Sequence, residues 1–209
     1  MLSISKETLS TLPAVNFNGR IHLVKDENEA ELAVSKIFEN KVVGFDTETR
    51  PNFHKGSRYK VSLLQIASMD ECYLFRLNKT GITSDIKHLL ETEDILKVGL
   101  SVKDDFQSLR KLEPSLQPNG FLELQTWVKD YDILDNSLSR IHAIVFGQKI
   151  SKSQRLTNWE ANELSEFQQM YAATDAWACL RIYNRIKEGN FDSTNSPYLI
   201  KDPEKIQNK

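Results

Sequence analysis

The stretch VVGFDTETR, Val42 to Arg50, decides how the rest of the chain is read. It begins as a buried strand and finishes with two carboxylates, Asp46 and Glu48. Successive strand side chains alternate faces, so both acids leave the same side of a sheet a few ångströms apart, where like charges repel. Something cationic must hold them there.

Working outward, KVSLLQIAS and ECYLFRL read as two further strands, the second reached through the tight MDE turn, and the three make an antiparallel meander. Upstream, RIHLV (Arg20 to Val24) reads as an edge strand and NEAELAVSKIFEN as a helix whose apolar stripe is Ala30, Ala33, Ile37 and Phe38. Downstream come the helix SDIKHLLE, the short strand ILKVGL and a mostly helical second half. This order predicts one α/β domain over residues 20–189, a mixed sheet flanked by helices. Residues 1–19 read as a weakly structured N-terminal extension, and 190–209, with two prolines, as a polar C-terminal tail.

Two later segments aim further acids at the same core. In KVGLSVKDDFQSLRKLE, a helix capped by Ser101 puts Val102, Phe106, Leu109 and Leu112 on its apolar face. Asp105 lies beside that stripe and points inward. Asp104 falls three residues after the cap, where an acid can reach back to the cap's N–H. The longest helical pattern follows LTNWE and runs to about Lys187, with a stripe of Leu164, Phe167, Tyr171, Thr174 or Asp175, Ala178, Ile182 and Ile186. A carboxylate on a buried stripe is destabilising unless it is paired, protonated or bound to a metal. Few Lys or Arg residues share these stripes, which favours divalent cations as counterions to Asp46, Glu48, Asp105 and Asp175. Each signal alone has an ordinary reading, a solvated turn, a helix cap or a local Tyr–Asp contact; their conjunction, in order, is what carries weight.

Composition removes other classes. The 209 residues are 40% hydrophobic and 27% charged, as in a soluble globular protein. A net charge of -2 and a pI near 6.1 give no global basic field, so a nucleic-acid partner must meet a local patch. Cys72 and Cys179 stand far apart among apolar residues, as reduced buried thiols of a cytoplasmic protein. His22, His54, His88 and His142 lack ligand spacing. No leader or membrane-spanning run is read at either end.

FDTET, VGLSVKDDFQSL and YAATDAWACLRIY resemble the three motifs of the DEDD superfamily of 3′–5′ exonucleases, in its Werner-syndrome-exonuclease and RNase D branch, over roughly residues 20 to 188. The other subtype carries a histidine five residues before the last aspartate; Met170 stands there, which selects the tyrosine subtype. The resemblance implies a ribonuclease-H-like fold, a mixed five-stranded sheet with helices on both faces and its first three strands antiparallel. It also implies two divalent ions, Mg²⁺ or Mn²⁺. Asp46, Glu48 and Asp175 would hold one ion, Asp46 would bridge to the other, and Asp105 would support that one largely through water. Tyr171 is similar to the tyrosine that orients the attacking water, and Gln65 and Trp159 match framework positions.

Two basic stretches bear on substrate. RPNFHKGSRYK holds Arg50, Lys55, Arg58 and Lys60 among Phe53 and Tyr59, and GQKISKSQR adds Lys149, Lys152 and Arg155. Such side chains can grip phosphates and stack bases of a single-stranded end, or be merely solvated loops. The expected activity is metal-dependent 3′–5′ hydrolysis of nucleic acid with a free 3′ end, DNA before RNA, releasing nucleoside 5′-monophosphates. RNase D-like RNA trimming and a non-catalytic binding module are the alternatives. A coupled helicase or repair activity would come from a separate partner.

Overall fold

The computed structural model describes residues 1–52 and 59–200. Helix α1 (Lys6–Thr11) and the short strand β1 (Ala14–Val15) precede strand β2 (Arg20–Val24) and helix α2 (Glu27–Ile37). The meander follows as β3 (Val42–Thr49), β4 (Val61–Ala67) and β5 (Glu71–Phe75), antiparallel as the sequence predicts. Helices α3 (Leu77–Thr80) and α4 (Ser84–Glu91) lead to β6 (Leu96–Gly99), α5 (Val102–Arg110) and β7 (Phe121–Glu123). Helices α6 (Leu124–Trp127) and α7 (Leu138–Phe146), strand β8 (Lys149–Ile150) and the long α8 (Glu166–Lys187) complete the described chain.

The main sheet runs β2-β5-β4-β3-β6-β7. The meander with β6 and β7 makes the five strands the resemblance implies. Strand β2 adds a sixth at the edge, parallel to β5 with Arg20–Val24 opposite Glu71–Phe75. Helices α2, α4 and α5 cover one face through Ala33, Ile37, Ile86, Leu89 and Val102. Helix α8 covers the other through Ala172, Ala173 and Ala176. Every residue of β4 is buried, as a strand sandwiched between helical layers must be.

The seat of α8 on β3 explains the small residues of its motif. Gly44 shares a face with Asp46 and Glu48, and a Cβ there would stand 1.9 Å from the Ala176 carbonyl oxygen. A helix with bulkier residues at this line, or a strand with any side chain at Gly44, could not approach so closely. The helix start is fixed by a capping box: Ser165 Oγ accepts from Gln168 N at 3.2 Å, and Gln168 Oε1 accepts from Ser165 N at 3.0 Å.

Four expectations need correction. The first 19 residues are not loose: Leu2, Ile4 and Phe17 are fully buried, Phe17 N donates to Thr174 Oγ1 at 3.0 Å, and β1 pairs with β8. Apolar anchors at the chain start offset the ordering cost that a polar extension could not. The tail is also partly docked, Ser3 N donating to the Tyr198 carbonyl at 3.2 Å and Ile200 N to that of Met1; residues 201–209 lie outside the described residues. Asp104 does not cap α5. Ser101 adopts the left-handed conformation (φ 63°) without a side-chain cap, and Glu123 of β7 accepts from Ser101 N and Val102 N, each at 2.9 Å. Phe167, assigned to the buried stripe, is 77% exposed; the inward position of this turn belongs to its neighbour Gln168, whose buried amide donates to Thr157 Oγ1 at 3.0 Å.

Candidate active site

Strand alternation brings Asp46 and Glu48 to the α8 face, and the close seat of α8 lets a side chain as short as Asp175 meet them. Ligand oxygens of these three carboxylates all lie within 4.8 Å of one another. Thr174, the alternative at this point of the stripe, faces away: its hydroxyl donates to the Met170 carbonyl at 2.6 Å and accepts from Phe17. Asp105 enters from the first turn of α5, where Thr47 Oγ1 donates to its Oδ1 at 2.5 Å. The four acids and Tyr171 share one cleft of about 450 Å³, walled opposite by Ser101 and the Asn136–Ser137 segment. The structure thus brings together all five residues that the motifs single out.

Burial raises all four carboxyls, and like charges nearby add to the rise of Asp46, Glu48 and Asp105. Burial, then Asp105, Asp175 and Glu48, hold the Asp46 carboxyl well above the usual carboxylate range. Burial and then Asp175 and Asp105 push Glu48 up to about 9, against the pull of Arg155. Asp105 is raised to about 7 by burial, opposed by the Thr47 hydroxyl, and Asp175 to about 7 by burial, opposed by the Tyr171 hydroxyl and Lys152. Burial, followed by its acidic neighbours, also raises Tyr171, so its phenol keeps its proton at neutral pH and donates it to Asp175. Converging hard oxygens that must otherwise retain protons fit Mg²⁺ or Mn²⁺. Among the described residues no histidine joins the set: His142 is buried, lowered to about 4 chiefly by burial, and occupied by the Gln148 carbonyl at 2.9 Å and Arg181 at 3.1 Å.

The basic candidates divide. Lys152 and Arg155 line a hollow beside Tyr171 and Asp175, on the rim of the acid cleft. Lys149 is turned away, its ammonium donating to the Ser10 carbonyl where β8 meets β1. Arg50 pairs with Glu160 at 3.4 Å and stands 4.6 Å over the Tyr59 ring. Phe53, Lys55 and Arg58 lie outside the described residues. Gln65 is buried directly across from Asp46 in the β3–β4 register, and the buried Trp159 lies 6.0 Å from the Tyr171 ring.

Two supporting residues escape sequence reasoning. Thr47, between the paired acids, points to the opposite face of β3 and reaches Asp105. Glu123 carries a carboxylate to the start of α5, where the positive helix end and two free N–H groups receive it. A three-residue strand with no apolar alternation gives no warning of this; the acid three residues into FLEL was the only available signal.

Comparison with known proteins gives the family of the chain that carries this cleft. Residues 21–189 match the 3′–5′ exonuclease family. The bifunctional 3′-5′ exonuclease/ATP-dependent helicase WRN of Mus musculus is 30% identical over 209 residues, covering 90% of this chain and 14% of its own length. The 3′-5′ exonuclease of Arabidopsis thaliana is 28% identical over 211 residues, covering 88% of this chain and 69% of its own. The Aedes aegypti Nibbler EXO domain superposes with a TM-score of 0.75 at 23% identity, over 87% of this chain and 96% of that one, and shares the ribonuclease-H-like fold. The chain therefore spans a small part of the mouse protein, and over four-fifths of its length it belongs to the 3′–5′ exonuclease family.

Proposed function

We propose that this chain is a two-metal 3′–5′ exonuclease that removes nucleotides from a DNA 3′ end as 5′-monophosphates. The observation that carries the reading is the convergence of Asp46, Glu48 and Asp175 ligand atoms within 4.8 Å, with Asp105 in the same cleft. Asp46, Glu48 and Asp175 would hold one divalent ion, and Asp46 with Asp105 would serve a second. When bound, the ions lower the pKa of the attacking water and stabilise the leaving 3′ oxygen.

The chain's own groups do the remaining work. Thr47 fixes the Asp105 carboxylate, and Glu123 holds the turn that carries it. Tyr171 keeps its proton, which it donates to Asp175, and orients the attacking water as a positioner and not as a base, because its phenol is held far from ionisation. Lys152 and Arg155 supply positive charge to the backbone of the strand entering the cleft, contacts that carry no sequence information. Little sequence preference follows.

DNA is favoured because the motif wording, and a 30% identical relative, lean to the Werner branch. Matched DNA and RNA strands incubated with Mn²⁺ test this, with products separated chromatographically. Faster release of deoxynucleoside 5′-monophosphates supports the reading; preferential release of ribonucleotides transfers the chain to RNA trimming, and 3′-monophosphates of either sugar contradict the mechanism.

A further inference from the structure

Phe167 stands one helical turn before Tyr171 on α8, about 6 Å along the helix axis, and its ring is 77% exposed. A single exposed aromatic is ordinary on any surface; what distinguishes this one is the continuity of the surface around it. Phe167 and Met170 line a hollow of about 180 Å³ together with Asn16, Ile150, Ser151 and Ser153. That hollow meets a smaller one, about 60 Å³, at Ser151 and Tyr171, and the smaller one holds Lys152 and Arg155. Arg155, Tyr171 and Asp175 belong in turn to the acid cleft. A single groove therefore runs from the four acids, past the two cations, to a flat aromatic face.

The order of chemistry along this groove is that of a single-stranded nucleic acid: charge to meet phosphates, then a ring to meet a base. Aromatic faces stack bases without reading their sequence. The neighbouring hydroxyls and amide offer hydrogen bonds to sugar and phosphate oxygens. The apolar wall lies on the same helix that carries Tyr171 and Asp175, so a base placed there has a fixed distance to the reacting centre. We infer that Phe167 is a stacking platform for a base of the single-stranded end neighbouring the scissile phosphate. The inference rests on the exonuclease reading for placing the 3′ end in the acid cleft.

Fluorescence anisotropy of a 5′-labelled ten-nucleotide single-stranded DNA tests it, using the full chain with Asp46→Asn so that the probe is not consumed. Adding Phe167→Ala should weaken binding about 5- to 150-fold, the range of one lost base stack, whereas Phe167→Trp should retain it. Probes with one abasic residue at each of the last four positions locate the base: one of them should abolish the difference between Phe167 and Phe167→Ala. Equal binding of the intact probe by Phe167 and Phe167→Ala overturns the inference, as does a loss that every abasic probe preserves. Failure of the exonuclease reading shows separately, as no metal-dependent shortening of DNA by the unsubstituted chain while the Phe167-dependent binding persists. A chain that binds no oligonucleotide overturns both.

Discussion

At the scale of single residues, the cleft is a set of acids held together against their own repulsion. Raised carboxyl pKa values mean that the folded state keeps protons which the unfolded chain releases, so stability falls as pH rises from the unfolded values near 4 toward about 9, the value for Glu48. Asp46→Asn removes one of the interacting charges. The metal-free variant should unfold at the same temperature as the parent near pH 4, and be more stable by about 1–2 kcal/mol at pH 8, the gain typical of relieving a strained functional site. Calorimetric scans across this range check the widening gap. Titratable groups outside the cleft, His142 among them, are common to both proteins and cancel. Mn²⁺ should close the gap by stabilising only the parent, through binding to the native state; a gap constant with pH would contradict the charge account. Tyr171→Phe should keep metal binding, seen as an unchanged Mn²⁺-induced rise in melting temperature, while turnover falls by one to two orders of magnitude, a size in keeping with a lost positioning contact.

At the scale of elements, two contacts set the geometry. Gly44→Ala drives a methyl into the Ala176 carbonyl. It should cost about 1–3 kcal/mol, the usual range for overpacking, and reduce turnover further by lifting Asp175 away from Asp46; urea titration and kcat measure the two parts. Glu123→Gln weakens the clasp on Ser101 and Val102, and hydrogen bonds to charged groups are worth about 1.5–3 kcal/mol each. Its loss should lower stability and turnover together, because Asp105 sits on the turn it holds. The sequence made the first contact legible in part: the strand, the small-residue helix motif and the four acids are all periodic features. Glu123 was hidden because its strand is too short to show a period, and its partners are backbone groups that any residue carries. The capping assignment of Asp104 failed for a related reason, since the left-handed Ser101 turns the cap site away from it. Phe167 was misplaced because spacings of three and four fit either neighbour, and the polar Gln168, whose amide finds partners in Thr157 and Asn158, takes the inward position.

At the scale of the whole molecule, five strands of the sheet and the helices flanking it were readable, but β7 and the ends were not. Polar composition hid the anchors Leu2, Ile4 and Phe17, whose burial stabilises by about 1.5–3 kcal/mol each. Removing residues 1–19 should therefore lower the denaturation midpoint sharply or prevent folding; an unchanged midpoint would mean that these anchors contribute nothing. The described helices include none long and apolar enough to cross a membrane. The acid cleft, the basic rim and the aromatic face lie along one path beside the N-terminal half of α8.

The most direct test of the central claim is a time course of 5′-labelled single-stranded DNA with Mn²⁺, with chelator, and with Asp46→Ala. The cleft described here predicts a ladder shortening one nucleotide at a time from the 3′ end, abolished by chelator and by the substitution. Shortening that survives Asp46→Ala, or label released from the 5′ end, would contradict it.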